Sequence, residues 1–159
     1  MKAVTFFKIL KHPVKFRMFL LSKLPLALIA GLRIREIDPQ KCVVSVPYGW
    51  MNKNPFRSTY FAALAMAAEL STGVLAMAAT LDRPVKVALL VVKLESEYFK
   101  KATGITLFTC ADGEALTHTV QQAIDENQPQ QFTATSTGVN EQGVPVAVFR
   151  ITWSFKARS

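Results

Sequence analysis

The chain has 159 residues, half of them apolar, and a formal net charge of +8. That composition excludes disorder, and the length suits one domain of roughly 100–150 residues plus an arm. The charge is local: residues 1–35 carry eight Lys/Arg (Lys2, Lys8, Lys11, Lys15, Arg17, Lys23, Arg33, Arg35) and no Asp or Glu, while residues 36–159 are formally neutral. A nucleic-acid binder would spread basic residues over its body, so no nucleic acid is expected as a partner.

In chain order, residues 4–11 and 14–24 read as two short helical pieces broken at Pro13, with Lys8, Lys11 and Lys15 on one face. This basic amphipathic arm, residues 1–31, resembles a signal peptide loosely. Lys15, Arg17 and Lys23 interrupt its apolar stretch, so it is read as part of the mature protein. The arm is expected to pack on its own body or on a sister subunit. A second reading is peripheral attachment to an anionic membrane surface. Residues 32–159 form the expected domain. Arg33–Ile37 and Cys42–Pro47 read as strands joined at Asp38-Pro39. A polar loop, Tyr48–Phe56, leads to Ser58–Leu81, an alanine-rich helix with Glu69 as its single charge. Val85–Phe99 and Thr103–Ala111 read as strands, and Gly113–Asn127 as a helix or irregular excursion. Gln131–Val139 and Val144–Lys156 close a hairpin, with a change of phase expected near Arg150.

One long apolar helix among six antiparallel strands is an α+β fold, and a helix apolar nearly all round must be buried on most faces. A strongly curved sheet wrapped around it is the economical arrangement. A membrane span competes for Ser58–Leu81, but Glu69 near its middle costs about 3 kcal/mol on insertion scales. Cys42 and Cys110 have no ligand or framework spacing, so free buried thiols in a reducing, cytoplasmic compartment are expected.

Glu69 is the strongest chemical signal. A carboxylate in an apolar helix is costly to bury ionised, so its pKa should rise, and such groups serve as general bases or nucleophiles. The alternative is a Glu that simply meets solvent or a subunit interface. Asn54-Pro55-Phe56-Arg57-Ser58-Thr59 runs into the helix start, whose free amides can polarise a carbonyl. Ser58 or Thr59 as a plain N-cap explains the same residues.

These residues resemble the hotdog-fold acyl-CoA thioesterases. In the phenylacetate-pathway type, the pattern is roughly N-x-x-G-[ST]-x-H-G-G, six residues, then Asp or Glu. Asn54 falls on the Asn, Ser58 on the Ser/Thr and Glu69 on the carboxylate. Tyr98-Phe99-Lys100-Lys101-Ala102 is similar to that family's F-x-x-P-A boundary between two strands, and the likeness covers about residues 32–156. The run from Asn54 to Leu70 is closer still to a branch of the superfamily known only as a domain of unknown function. Tyr60-Phe61-Ala62 replaces H-G-G and Arg57 replaces the preceding glycine. Neither His12 nor His118 lies in the site loop, which disfavours the dehydratases of the superfamily.

The resemblance implies a hotdog fold and hydrolysis of an acyl thioester such as acyl-CoA, with no cofactor and no metal. Glu69 would activate water or attack the carbonyl, and Asn54 would orient the water or the base. Amides near Tyr60, Phe61 and Ala62 would hold the oxyanion, Ser58 and Thr59 would line the substrate site, and Thr72 would hold the Glu69 carboxylate. It also implies a homodimer or a dimer of dimers, with Asn54 and Glu69 of one site drawn from different chains. A non-catalytic acyl- or lipid-binding protein that lost H-G-G is the alternative, and a structural oligomer module a third.

Overall fold

The computed structural model describes residues 2–158. Three short helices open the chain: α1 (Ala3–Lys11), α2 (Pro13–Lys23) and α3 (Pro25–Ile29). The break falls at His12, whose backbone is extended, and Pro13 takes the first position of α2, where a missing N–H leaves nothing unpaired. Lys8 and Lys11 therefore belong to a different helix from Lys15, and the single basic face expected across them is divided. Phe6 and Leu10 of α1 and Phe16 and Leu20 of α2 are buried in the same core as the body, so the arm packs on its own chain.

Strands β1 (Arg33–Ile37) and β2 (Cys42–Val46) follow, joined by a turn in which the Asp38 carboxylate accepts from the backbone N–H groups of Gln40 and Lys41, both at 2.8 Å. Those two donors hold the Asp38 pKa below its ordinary value. Next come the central helix α4 (Phe61–Ala79), β3 (Lys86–Tyr98), β4 (Thr106–Cys110), α5 (Gly113–Asp125), β5 (Gln130–Val139) and β6 (Pro145–Arg158). The strands form one antiparallel sheet in the order β1-β2-β4-β5-β6-β3. The expected excursion after β4 is a regular helix that buries Leu116, Val120 and Ala123.

Among the described residues, α4 is the one helix long and apolar enough to cross a membrane. The sheet encloses it instead, and eleven of its nineteen residues are buried. Small side chains such as Ala67, Ala68 and Ala76 bring it close to the sheet, whose inner face presents fully buried Val44, Phe108, Phe149, Ile151 and Phe155. Each such side chain contributes about 1.5–3 kcal/mol by leaving water. Two polar contacts fix the depth of α4. The Ser71 and Ser136 hydroxyls lie 2.8 Å apart, and the Trp153 indole N–H donates to Thr72 Oγ1 at 3.1 Å, all four residues being buried.

The strand alternation runs unbroken from Phe149 to Lys156, so the phase change expected near Arg150 lies earlier. It falls at the consecutive buried pair Val146 and Ala147, opposite the irregularity at Gly138/Val139 of β5. Val148 is consequently only half-buried. Cys42 and Cys110 sit opposite one another on β2 and β4 as free, buried thiols. Burial raises both pKa values, that of Cys110 to about 12, which leaves them unreactive.

Candidate active site

The loop before α4 is built by Asn54. Its side-chain oxygen accepts from the backbone N–H groups of Phe56 (3.0 Å) and Ser58 (3.2 Å), while its amide donates to Ser58 Oγ at 3.1 Å. These bonds close the turn that carries the chain from Asn54 to Ser58, so the Asn54 side chain is committed to the loop. At the apex Arg57 adopts φ +59°, the left-handed conformation that glycine takes without cost. This is the position at which the resembling motif has glycine, so the backbone shape is kept without the residue that suits it.

Thr59 fastens the loop to the body: its N–H and its hydroxyl both donate to the Ala102 carbonyl, at 2.8 and 3.1 Å. Ala102 stands in the segment between β3 and β4, the boundary expected from Tyr98 to Ala102. Ser58 and Thr59 are thus spent on other partners, and neither caps the helix. The residue preceding α4 is Tyr60, with no side-chain cap, and the helix starts three residues later than Ser58. Ala63 and Leu64 donate to the Tyr60 carbonyl, and the amides of Phe61 and Ala62 have no acceptor among the described residues. They lie at the positive end of the helix dipole.

Phe61 borders a cavity of about 590 Å³, walled by Asn54, Ser58, Thr59, Tyr60 and Phe61 on one side and Tyr98 to Ala102 on the other. Ala62 is half-buried in the first helical turn and does not line it. Phe56, Phe61 and Phe99 are exposed at the rim, where Lys100 and Lys101 supply positive charge.

Glu69 occupies a different cavity. About 360 Å³ in volume, it is lined by Phe19 and Leu24 of the arm, by Leu70, Gly73, Val74 and Met77 of α4, by Leu89 of β3 and by Trp153 of β6. No donor among the described residues reaches the carboxylate, and burial pushes its pKa above the usual range. Gly73, one turn on, makes room for it: a Cβ there would lie 2.9 Å from Glu69 Oε1 and 3.2 Å from the Trp153 ring.

The role expected for Thr72 is not the observed one. Its hydroxyl donates to the Glu69 backbone carbonyl at 3.1 Å and accepts from Trp153, so it orients the indole and leaves the carboxylate alone. A helix-interior threonine reaches its own preceding turn more easily than a side chain. Gly73, Trp153, Phe19 and Leu24 are the residues that sequence reasoning missed. Gly73 had a signal, being the small residue four positions after Glu69 on the same helical face.

Within one chain the two halves stay apart: Asn54, Ser58, Thr59, Tyr60 and Phe61 line the first cavity, Glu69 the second, and no residue lines both. Among the described residues no group of three or more His, Cys, Asp or Glu is placed to hold a metal ion.

Residues 14–155 match the profile of a family described as a domain of unknown function, DUF4442. No curated protein is significantly similar to the chain in sequence. Among solved structures, a Pseudomonas aeruginosa protein of unknown function, described as a probable thioesterase, superposes with a TM-score of 0.77 at 20% identity, covering 92% of this chain and 97% of that one. The PaaI protein of the Escherichia coli phenylacetic acid degradation operon gives 0.61 at 15% identity, covering 89% and 90%. A Haemophilus influenzae thioesterase gives 0.61 at 10% identity, covering 92% and 91%.

Proposed function

The chain belongs to the DUF4442 family and has the hotdog fold, and on that premise we propose that it hydrolyses an acyl thioester, with Glu69 as the base or nucleophile. The observation that carries this reading is a lone carboxylate with a raised pKa and no hydrogen-bond partner, set in the wall of an apolar cavity. Burial brings its pKa toward the range in which a carboxylate works as a base near neutral pH. The apolar walls suit an acyl chain.

In the reaction, Glu69 takes a proton from water as the water oxygen bonds to the thioester carbonyl carbon. The carbonyl electrons move onto oxygen, where the uncapped Phe61 amide at the start of α4 stabilises them. The carbonyl re-forms, the C–S bond breaks with its electron pair on sulfur, and the proton passes to the thiolate. The products are a carboxylic acid and a thiol. The rim residues Lys100 and Lys101 suit the phosphates of a coenzyme A carrier.

The reading includes a homodimer. β3 is an edge strand with Leu90, Val92 and Leu94 exposed, an arrangement that invites pairing. Leu89 of β3 borders the Glu69 cavity and Tyr98 borders the cavity at the helix start. A two-fold antiparallel pairing of β3 with its copy, centred near Lys93, would set the Leu89 end of one protomer beside the Tyr98 end of its partner. Each Glu69 would then face the partner's free amides.

The test is thiol release from acyl-CoAs of increasing chain length. Wild type should turn over at least one of them, and Glu69→Gln should be slower by roughly 10²–10⁴-fold. A double variant, Leu90→Lys with Leu94→Lys, should lose dimer and activity together. Equal rates for wild type and Glu69→Gln would remove Glu69 from the chemistry. Acyl binding without turnover on any substrate would favour a non-catalytic acyl-binding protein.

A further inference from the structure

The outer surface of the arm has no part in this chemistry. On α2, Val14, Met18 and Leu21 are spaced i, i+4 and i+7 and form a stripe opposite buried Phe16 and Leu20. Each of the three is more than half exposed. At 100° per residue, Arg17 borders this stripe on one side and Lys15 on the other. Helix α2 is thus apolar on two opposite faces: one is covered by the protein body and the other is open.

The open face continues beyond α2. Leu26 and Ile29 of α3 are also more than half exposed, and Trp50 is 76% exposed. Trp50 is held beside the end of α3, because the Asn52 amide donates both to the Ala30 carbonyl and to the Pro47 carbonyl, each at 2.8 Å. Lys53 Nζ stands 5.8 Å from the Trp50 ring centre. Residues 1–35 contain no acidic side chain, and neither do residues 39–68, so the whole surface is apolar and positive.

We propose that this face, formed by α2, α3 and the Trp50 loop, seats the protein on an anionic lipid bilayer. The pattern is that of an interfacial helix: apolar side chains to enter the acyl boundary, flanking cations for lipid phosphates, and a tryptophan at headgroup depth. Charge argues against a second copy as the occupant, since a two-fold contact would press one uniformly basic surface against another. An acidic protein partner would satisfy the cations but leaves the exposed stripe of Val14, Met18 and Leu21 without a reason. The inner side of the same helix places Phe19, followed by Leu24 at its end, in the wall of the Glu69 cavity. A seated arm would therefore lie between the bilayer and that cavity. The docking itself does not depend on any hydrolytic activity.

The experiment is vesicle binding by the full chain, read by co-sedimentation and by tryptophan emission. Trp153 is buried and Trp50 exposed, so a blue shift reports Trp50 entering lipid. Vesicles of phosphatidylcholine with phosphatidylglycerol should bind the protein, shift its emission blue and release it as salt rises, and phosphatidylcholine alone should bind far less. Lys15→Ser with Arg17→Ser should weaken binding by roughly thirtyfold at low salt. Met18→Glu with Leu21→Glu, both at exposed positions, should abolish it while circular dichroism stays unchanged. The proposal is overturned by absence of binding to anionic vesicles, or by binding that survives the Met18/Leu21 change. It is also overturned if that change only lowers the oligomeric state, which would identify a second copy as the occupant.

Discussion

Replacing Glu69 by Gln isolates the cost of keeping this carboxylate in its cavity. The carboxylate accepts no hydrogen bond from the described residues, and burial alone raises its pKa. The neutral amide therefore removes a charge without breaking a contact. Because the native chain holds the Glu69 proton to higher pH than the unfolded chain does, unfolding releases that proton in the interval between the two pKa values. The Glu69 contribution to stability is fully present below its unfolded value, near 4.3, and is lost as pH rises through the native value. Each tenfold separation between the two acid constants is worth about 1.4 kcal/mol, or roughly 3–5 °C in Tm for a chain of this size. Wild type and Glu69→Gln should thus be equally stable at the acid end, and the variant should gain steadily to a plateau above the native pKa. The assay is urea unfolding at a series of pH values, with both proteins at the same protomer concentration so that any association is compared like for like. A difference that is flat with pH, or that turns against the variant as pH rises, would refute the reasoning. The first outcome would mean the group is solvated, and the second that a donor stabilises its charge.

Two further substitutions probe the site from its supports. Gly73→Ala adds a methyl 2.9 Å from Glu69 Oε1 and 3.2 Å from an indole that Thr72 holds in place, so the carboxylate is the group that must move. Alanine's helix preference, about 1 kcal/mol over glycine, offsets the crowding. Thermal unfolding should change little while kcat for thioester hydrolysis falls at least tenfold; unchanged kcat would show that the carboxylate position is not critical. Arg57→Gly relieves a left-handed conformation that costs an L-residue about 1–2 kcal/mol, less about 0.5–1 kcal/mol for the added freedom of the unfolded chain. Urea midpoints should rise for Arg57→Gly but not for Arg57→Ala, and equal midpoints for the two would contradict the strain.

Much of the architecture was legible because local chemistry and tertiary structure agree. The Asp38 turn works through its own carboxylate, and the β5–β6 hairpin turns at Asn140 and Gly143, where Asn140 Oδ1 accepts from Gln142 and Val144 and Gly143 takes φ +76°. The alanine-rich helix declared its burial by having no polar face. What could not be read depends on long-range contacts. The arm was ambiguous because α2 is apolar on opposite sides, so periodicity does not say which side the body covers. The start of α4 was misplaced because Ser58 and Thr59, good capping residues in isolation, are drawn to Asn54 and Ala102.

The separation of the candidate site into two cavities has a plainer cause, and it lies in the helix itself. Phe61 and Glu69 are eight residues apart on one continuous helix, a rise of about 12 Å. A thioester carbonyl within hydrogen-bond reach of an amide at Phe61 is too far for water activated by the same chain's Glu69, whatever the loops do. No hinge interrupts α4 to shorten that distance. Under the proposed reaction a site that uses both groups takes them from two chains, and β3, which borders both cavities, is the edge along which the proposed homodimer would bring them together. For the proposed reaction, the spacing of free amide and carboxylate on one continuous helix is thus a requirement on the assembly as well as on the fold.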